Sequence, residues 1–154
     1  NRTKKIGVII MHAALLSLSF PSIAATLVIH VEEASTPQPI YAALHSTLSD
    51  NWSHKPLATQ KSTNAKLIFE NVPVGHYAIQ TFQDTNDNAK LDSSRRGIPR
   101  EPVGLSTNPS LTRGKPEISC CWIEVTEPVT ETSIRQSAPS LLDPLQRSVA
   151  AFVL

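Results

Sequence analysis

Apolar and polar positions alternate in short stretches along the chain. In TLVIHVEE (26–33), Leu27, Ile29 and Val31 share one face and His30 and Glu32 the other. PIYAALHS (39–46) groups Ile40, Ala42 and Leu44, and AKLIFENV (65–72) aligns Leu67 with Phe69. HYAIQTFQ (76–83) sets Tyr77, Ile79 and Thr81 against Ala78, Gln80 and Phe82. EISCCWIEV (117–125) sets Ile118, Cys120 and Trp122 against Cys121, Ile123 and Val125. A period of two in segments rich in β-branched and aromatic residues predicts half-buried strands. A weaker strand is expected near 130–135.

Turn chemistry separates these runs. Pro73 and Gly75 in VPVGHY (72–77) suit a tight connection, and STPQP (35–39) and DNWSHKP (50–56) read as loops. Twelve prolines spread along the chain leave little room for long helices. The expected fold is therefore all-β, an antiparallel β-sandwich spanning 26–136. Its longest interruption is 84–116, which holds few apolar residues. A connection this long inside a compact domain is usually functional or held by something specific.

The two ends break the alternation. A basic stretch NRTKK, an apolar run and PSIAA follow the layout of a secretory signal peptide over 1–25, with cleavage expected after Ala24 or Ala25. The apolar run ends at Pro21, too soon for a membrane-spanning helix, so no span is expected after cleavage. The protein is then exported, to the periplasm or beyond, where its partner would also lie. Residues 137–154 form an extension. Asp143 and Pro144 there read as an N-cap and first helical position, and Leu145, Val149 and Phe152 recur at helical spacing, which predicts a short helix over 144–153.

Charge narrows the function classes. The chain carries 14 basic and 13 acidic residues; without Arg2, Lys4 and Lys5 the remainder has 11 against 13. That near balance offers no basic patch, so no nucleic-acid partner is expected. The only two cysteines, Cys120 and Cys121, are adjacent and poorly placed for ordinary disulfide geometry. A zinc site would need further Cys or His at ligand spacing.

Candidate chemistry concentrates in DTNDNAKLD (84–92). Calcium takes six to eight oxygens from carboxylates, amides, backbone carbonyls and water. Asp84, Asn86, Asn88 and Asp92 occupy the first, third, fifth and ninth places of an EF-hand loop, and Lys90 offers its backbone carbonyl at the seventh. Ala89 stands at the sixth place, where glycine makes the sharp turn, and Arg95 at the twelfth, where a bidentate Glu belongs. The run is not an EF-hand. Two inward carboxylates imply a weak calcium site, Kd on the order of 10⁻⁴ to 10⁻³ M. The alternative is a plain polar hairpin tip, because Asp and Asn also favour turns.

FENVPVGHYAIQTFQDTNDNAKLD (69–92), followed by GIPREPVGLSTN (97–108), resembles a bacterial exported family, domain of unknown function 2141. The resemblance rests on Pro73, Gly75, Tyr77, Phe82, Asp84, Asn86, Asn88, Leu91, Asp92, Gly97, Ile98, Pro99, Glu101, Gly104 and Ser106, with Gly114 and Pro116 further on. It covers roughly 26–127. It implies an exported transthyretin-like or immunoglobulin-like β-sandwich with no established activity. The loop also resembles the calcium loops of bacterial surface adhesin repeats. Ala89, the Cys120–Cys121 pair and the tail beyond about 136 depart from the family pattern.

The leading expectation is a non-enzymatic binding or structural module, calcium-stabilised through 84–92. A carbohydrate- or peptide-binding module is the second class; it needs Tyr41, Trp52 and Trp122 to form an exposed platform, in a chain with only 5% aromatics. An enzyme is the third. Neither a Gly-x-Ser-x-Gly elbow nor a His-Glu-x-x-His pair is present, and Gly104-x-Ser106 is half a nucleophile motif. Its remaining support would be Asp92 and Glu101 paired as carboxylates.

Overall fold

The computed structural model describes residues 23–35 and 37–139. Most of the expected signal segment and the expected helix over 144–153 lie outside the described residues. Eight strands follow in order: β1 (Ala24–Glu32), β2 (Ile40–Ser46), β3 (Ala58–Ser62), β4 (Lys66–Pro73), β5 (Gly75–Gln83), β6 (Val103–Leu105), β7 (Ile123–Val125) and β8 (Val129–Arg135). They form two sheets. One has the order β4-β1-β8; the other has β3-β2-β5-β6, with β7 also paired to β5.

The alternation dictates which faces meet. Leu27, Ile29 and Val31 of β1, Ile40, Ala42 and Leu44 of β2, Leu67 and Phe69 of β4 and Tyr77 and Ile79 of β5 all turn into one buried core. Val125 and Ile134 complete it. Each Leu, Ile, Val or Phe among them contributes about 1.5–3 kcal/mol on burial, so the stacked faces supply the fold's main driving force. The fold is a β-sandwich, as the pattern predicts.

The sequence reading needs four corrections. The sandwich is not wholly antiparallel: β8 runs parallel to β1, from Thr26 opposite Val129 to Glu32 opposite Arg135. The strand expected over 117–125 is a 3-10 turn at Ile118–Cys121 followed by the short β7. The interruption 84–116 is not strand-free, because β6 lies inside it. Strand β3, which the alternation does not predict, pairs with β2 from Ile40 opposite Ser62 to Leu44 opposite Ala58.

Ala24 and Ala25 pair with Pro73 and Val72, and Ala25 is buried in the core. Of the two expected cleavage positions, only the one after Ala24 would leave this core residue in the domain.

Candidate functional site

Several of the motif residues act within the fold. At the start of β5, Gly75 has φ +154°, a value that side-chain-bearing residues rarely adopt. The turn it permits lets Tyr77 Oη donate to the Pro73 carbonyl at 2.7 Å. Burial raises the Tyr77 pKa, so the hydroxyl stays protonated and remains a donor. Midway along β5, two partners share one edge: β7 pairs with Gly75–Tyr77 and β6 with Gln80–Phe82. Ser106 fills the gap between them. Its N–H donates to the Ile79 carbonyl, its Oγ accepts from the Ile79 N–H, and its hydroxyl donates to the Cys121 carbonyl. The serine is fully buried and replaces a missing stretch of ladder, so its bonds are those of a structural residue.

Gly104 lies where the two sheets approach. A Cβ there would stand 2.6 Å from Ile134 Cγ2 and 2.9 Å from the Arg135 carbonyl oxygen. Only glycine lets β6 sit this close to β8.

At the end of β5 the chain enters the oxygen-rich loop. Asp84 is buried, and both of its carboxylate oxygens accept backbone N–H groups, from Asn88 at 3.1 Å and Ala89 at 2.7 Å. Its own N–H donates to the Pro39 carbonyl. Glu101 is equally buried. One of its oxygens accepts from Thr85 N–H at 2.8 Å and the other from Asp92 N–H at 3.1 Å. The two carboxylates thus latch both limbs of the loop through its backbone. Bonds from amides to ionised carboxylates are about twice as strong as neutral ones.

The expected ion donors come together only in part. Asn86 and Asn88 both donate their amide N–H groups to Asp92 Oδ2, at 2.7 and 2.8 Å. The Asn86 and Asn88 side-chain oxygens accept backbone N–H groups from Asn88 and Lys90. Asp84 accepts no side-chain donor of this cluster; its oxygens are engaged with the backbone. Lys90 is exposed. Ala89 adopts φ +60°, the left-handed turn expected of a glycine at that place, and Asp87 does so at +57°. Among the described residues, no three His, Cys, Asp or Glu side chains group as a metal site. The residues expected to hold an ion are two carboxylates and two amides, all oxygen-bearing side chains.

Glu101 does not pair with the Asp92 carboxylate in the manner of a catalytic dyad; it accepts Asp92's backbone N–H. The aromatic residues are divided between two places, and all three are half-buried. Tyr41 stacks on Phe82 across the β2–β5 pair, with centroids 5.0 Å apart, and Lys61 lies over its ring. Trp52 and Trp122 pack on a second, smaller core of Ala78, Leu105, Ile118 and Cys121 on the outer side of the β5 sheet. Trp52 anchors there by donating its indole N–H to the Pro116 carbonyl at 2.8 Å. Buried His45 meets the Trp52 ring edge-on, and burial together with nearby Lys115 lowers its pKa, keeping the imidazole neutral. Cys120 is exposed and Cys121 buried, and both are free thiols; burial raises the Cys121 pKa. The side-chain environment of Cys121 is that of a packing residue.

Residues 39–133 match the family model described as an uncharacterized protein conserved in bacteria (DUF2141). The chain belongs to this family. No curated protein matches it. Within the family region, the Pro73–Gly75–Tyr77 turn, the Asp84–Glu101 latch and the Gly104–Ser106 splice each have a structural task at a different point along β5. Sequence reasoning placed Asp84 and Asp92 in the same loop. It did not find the latch made by Glu101, or a pocket beside the loop to which Arg96 and Lys115 contribute.

Proposed function

We propose that the protein is an exported, non-enzymatic β-sandwich that serves as a binding or structural module, with loop 84–92 taking calcium as a stabilising ion. The observation that carries this reading is the convergence of Asn86, Asn88 and Asp92 next to a turn shaped by Asp84. Asp92, Asn86 and Asn88 would offer side-chain oxygens, Lys90 its carbonyl, and Asp84 the lone pairs its amide bonds leave free. The ion would neutralise the Asp92 carboxylate, which among the described residues accepts only the two Asn amides, and stiffen the loop. Export is supported by the signal layout of 1–25. Among the described residues no helix is long and apolar enough to cross a membrane. A partner outside the cytoplasm would meet the surface this loop presents.

The test is thermal unfolding with chelator and with calcium at about ten times the expected Kd. Mass action then gives about 1.4 kcal/mol of stabilisation, roughly 3–6 °C in Tm. Asp92→Ala should abolish the shift while keeping the Asp84 and Glu101 latch to backbone N–H groups. A shift that survives in Asp92→Ala, or none in the parent chain, removes calcium from the proposal.

A further inference from the structure

Next to the loop, the outer face of the β5 sheet carries a cavity of about 390 Å³. Its apolar walls come from three segments: Leu91, Ile98 and Pro99 of the loop, Val103 and Leu105 of β6, and Leu111 of the connection to the 3-10 turn. This volume falls at the smaller end of ligand pockets, about 300–1,000 Å³, and the apolar lining with few polar groups is typical of them. The charged groups here share one sign. Arg96 and Lys115 line the cavity together with the amide of Gln80. Among the described residues, neither cation has a carboxylate within 4.0 Å.

Lys115 is held in position. Its ammonium donates to Gln80 Oε1 at 2.5 Å and lies 4.6 Å from the centroid of the Trp52 ring. An ammonium has three N–H donors, so this arrangement leaves capacity for a further acceptor. The residue as a whole is exposed, yet desolvation around its ammonium pulls the pKa down to about 8. A cation set against an apolar wall without an acid gains most from an incoming anion.

We propose that this pocket binds a small monocarboxylate with an apolar tail, its carboxylate between Lys115 and Arg96 and its tail against Leu111, Leu105 and Ile98. The proposal takes the binding-module reading one step further and names the ligand class. A carboxylate suits a fork-shaped guanidinium and a point-charge ammonium at the rim, and the tail suits the walls. A sugar or polyol would leave the apolar walls unmatched, and a cationic ligand would meet two like charges.

The test uses octanoate, 1-octanol, octylammonium and octyl phosphate, with binding followed by calorimetry and by tryptophan fluorescence, because Trp52 lies under Lys115. Octanoate should bind saturably at one site, with 1-octanol at least tenfold weaker and octylammonium not binding. Lys115→Gln and Arg96→Gln should each weaken octanoate about tenfold, the scale of one lost charge-assisted bond, without changing 1-octanol. Arg96 is exposed and makes no side-chain bond among the described residues, so its variant keeps the test interpretable if Lys115→Gln fails to fold. Equal binding of octanoate and 1-octanol, unchanged octanoate binding in Arg96→Gln, or no saturation at millimolar octanoate overturns the proposal. Octyl phosphate binding tenfold tighter than octanoate overturns the carboxylate class. All titrations are run with calcium and with chelator. Failure of octanoate with an intact calcium shift in Tm sinks only the pocket proposal. Octanoate binding without that shift sinks only the ion.

Discussion

The two ends of β5 are closed by different chemistry. At its start the chain turns through Pro73 and Gly75, and one neutral bond from Tyr77 to the Pro73 carbonyl closes the turn over a buried ring. At its end, residues 85–90 are all exposed, and the loop is ordered instead by Asp84 and Glu101, which accept backbone N–H groups from Thr85, Asn88, Ala89 and Asp92. The first turn is a by-product of apolar burial, with a hydrogen bond added. The second has almost no apolar burial to rely on and is built on buried charge. The two ends should therefore differ in what breaks them and by how much.

The largest effect is expected at Glu101. In Glu101→Gln one carboxylate oxygen becomes an amide donor facing a backbone N–H, and the remaining oxygen loses its charge. Leaving one part-buried N–H facing a donor and weakening another charge-assisted bond should cost about 2–3 kcal/mol, read from the midpoint of urea unfolding. Tyr77→Phe removes a single neutral bond and keeps the buried ring, so about 1 kcal/mol is expected. The ratio of the two is the informative quantity. Equal costs would mean that the loop is held by something other than its carboxylates.

That contrast also governs how much of the molecule could be read in the sequence. Strands β1, β2, β4 and β5 were legible because one face of each is apolar and buried, so alternation reports the fold directly. Strand β3, ATQKS, has no fully buried residue and therefore no alternation to detect; its strand conformation comes from pairing with β2. Strand β6 is three residues long and contains Gly104, whose meaning lies in its contact with β8. The run at 118–121 alternates like a strand but forms a 3-10 turn, which buries residues three apart, here Ile118 and Cys121, where a strand would put them on opposite faces. The candidate site divides the same way. The donor types of 84–92 are local and visible, whereas Glu101 reaches back 16 residues to Thr85, and the pocket joins segments that share no local pattern.

The smallest effect, and the one opposite in sign, is expected at Ala89. Its φ of +60° is the left-handed conformation that costs a residue with a Cβ about 1–2 kcal/mol, and glycine adopts it freely. Part of this relief is lost because glycine also gives the unfolded chain more freedom. Ala89→Gly should therefore stabilise the protein by about 0.5–1 kcal/mol, a rise of a few degrees in Tm. Because Asp84 accepts the Ala89 N–H at 2.7 Å, the gain should depend on the latch. In an Asp84→Asn background, where one oxygen is replaced by a donor, the turn is no longer fixed at this φ, and the same change should add little. Equal gains in both backgrounds would place the strain of Ala89 in the local turn alone and separate it from the buried charge at the end of β5. A gain lost with Asp84 would make the carboxylate the reason the loop tolerates a left-handed alanine at all.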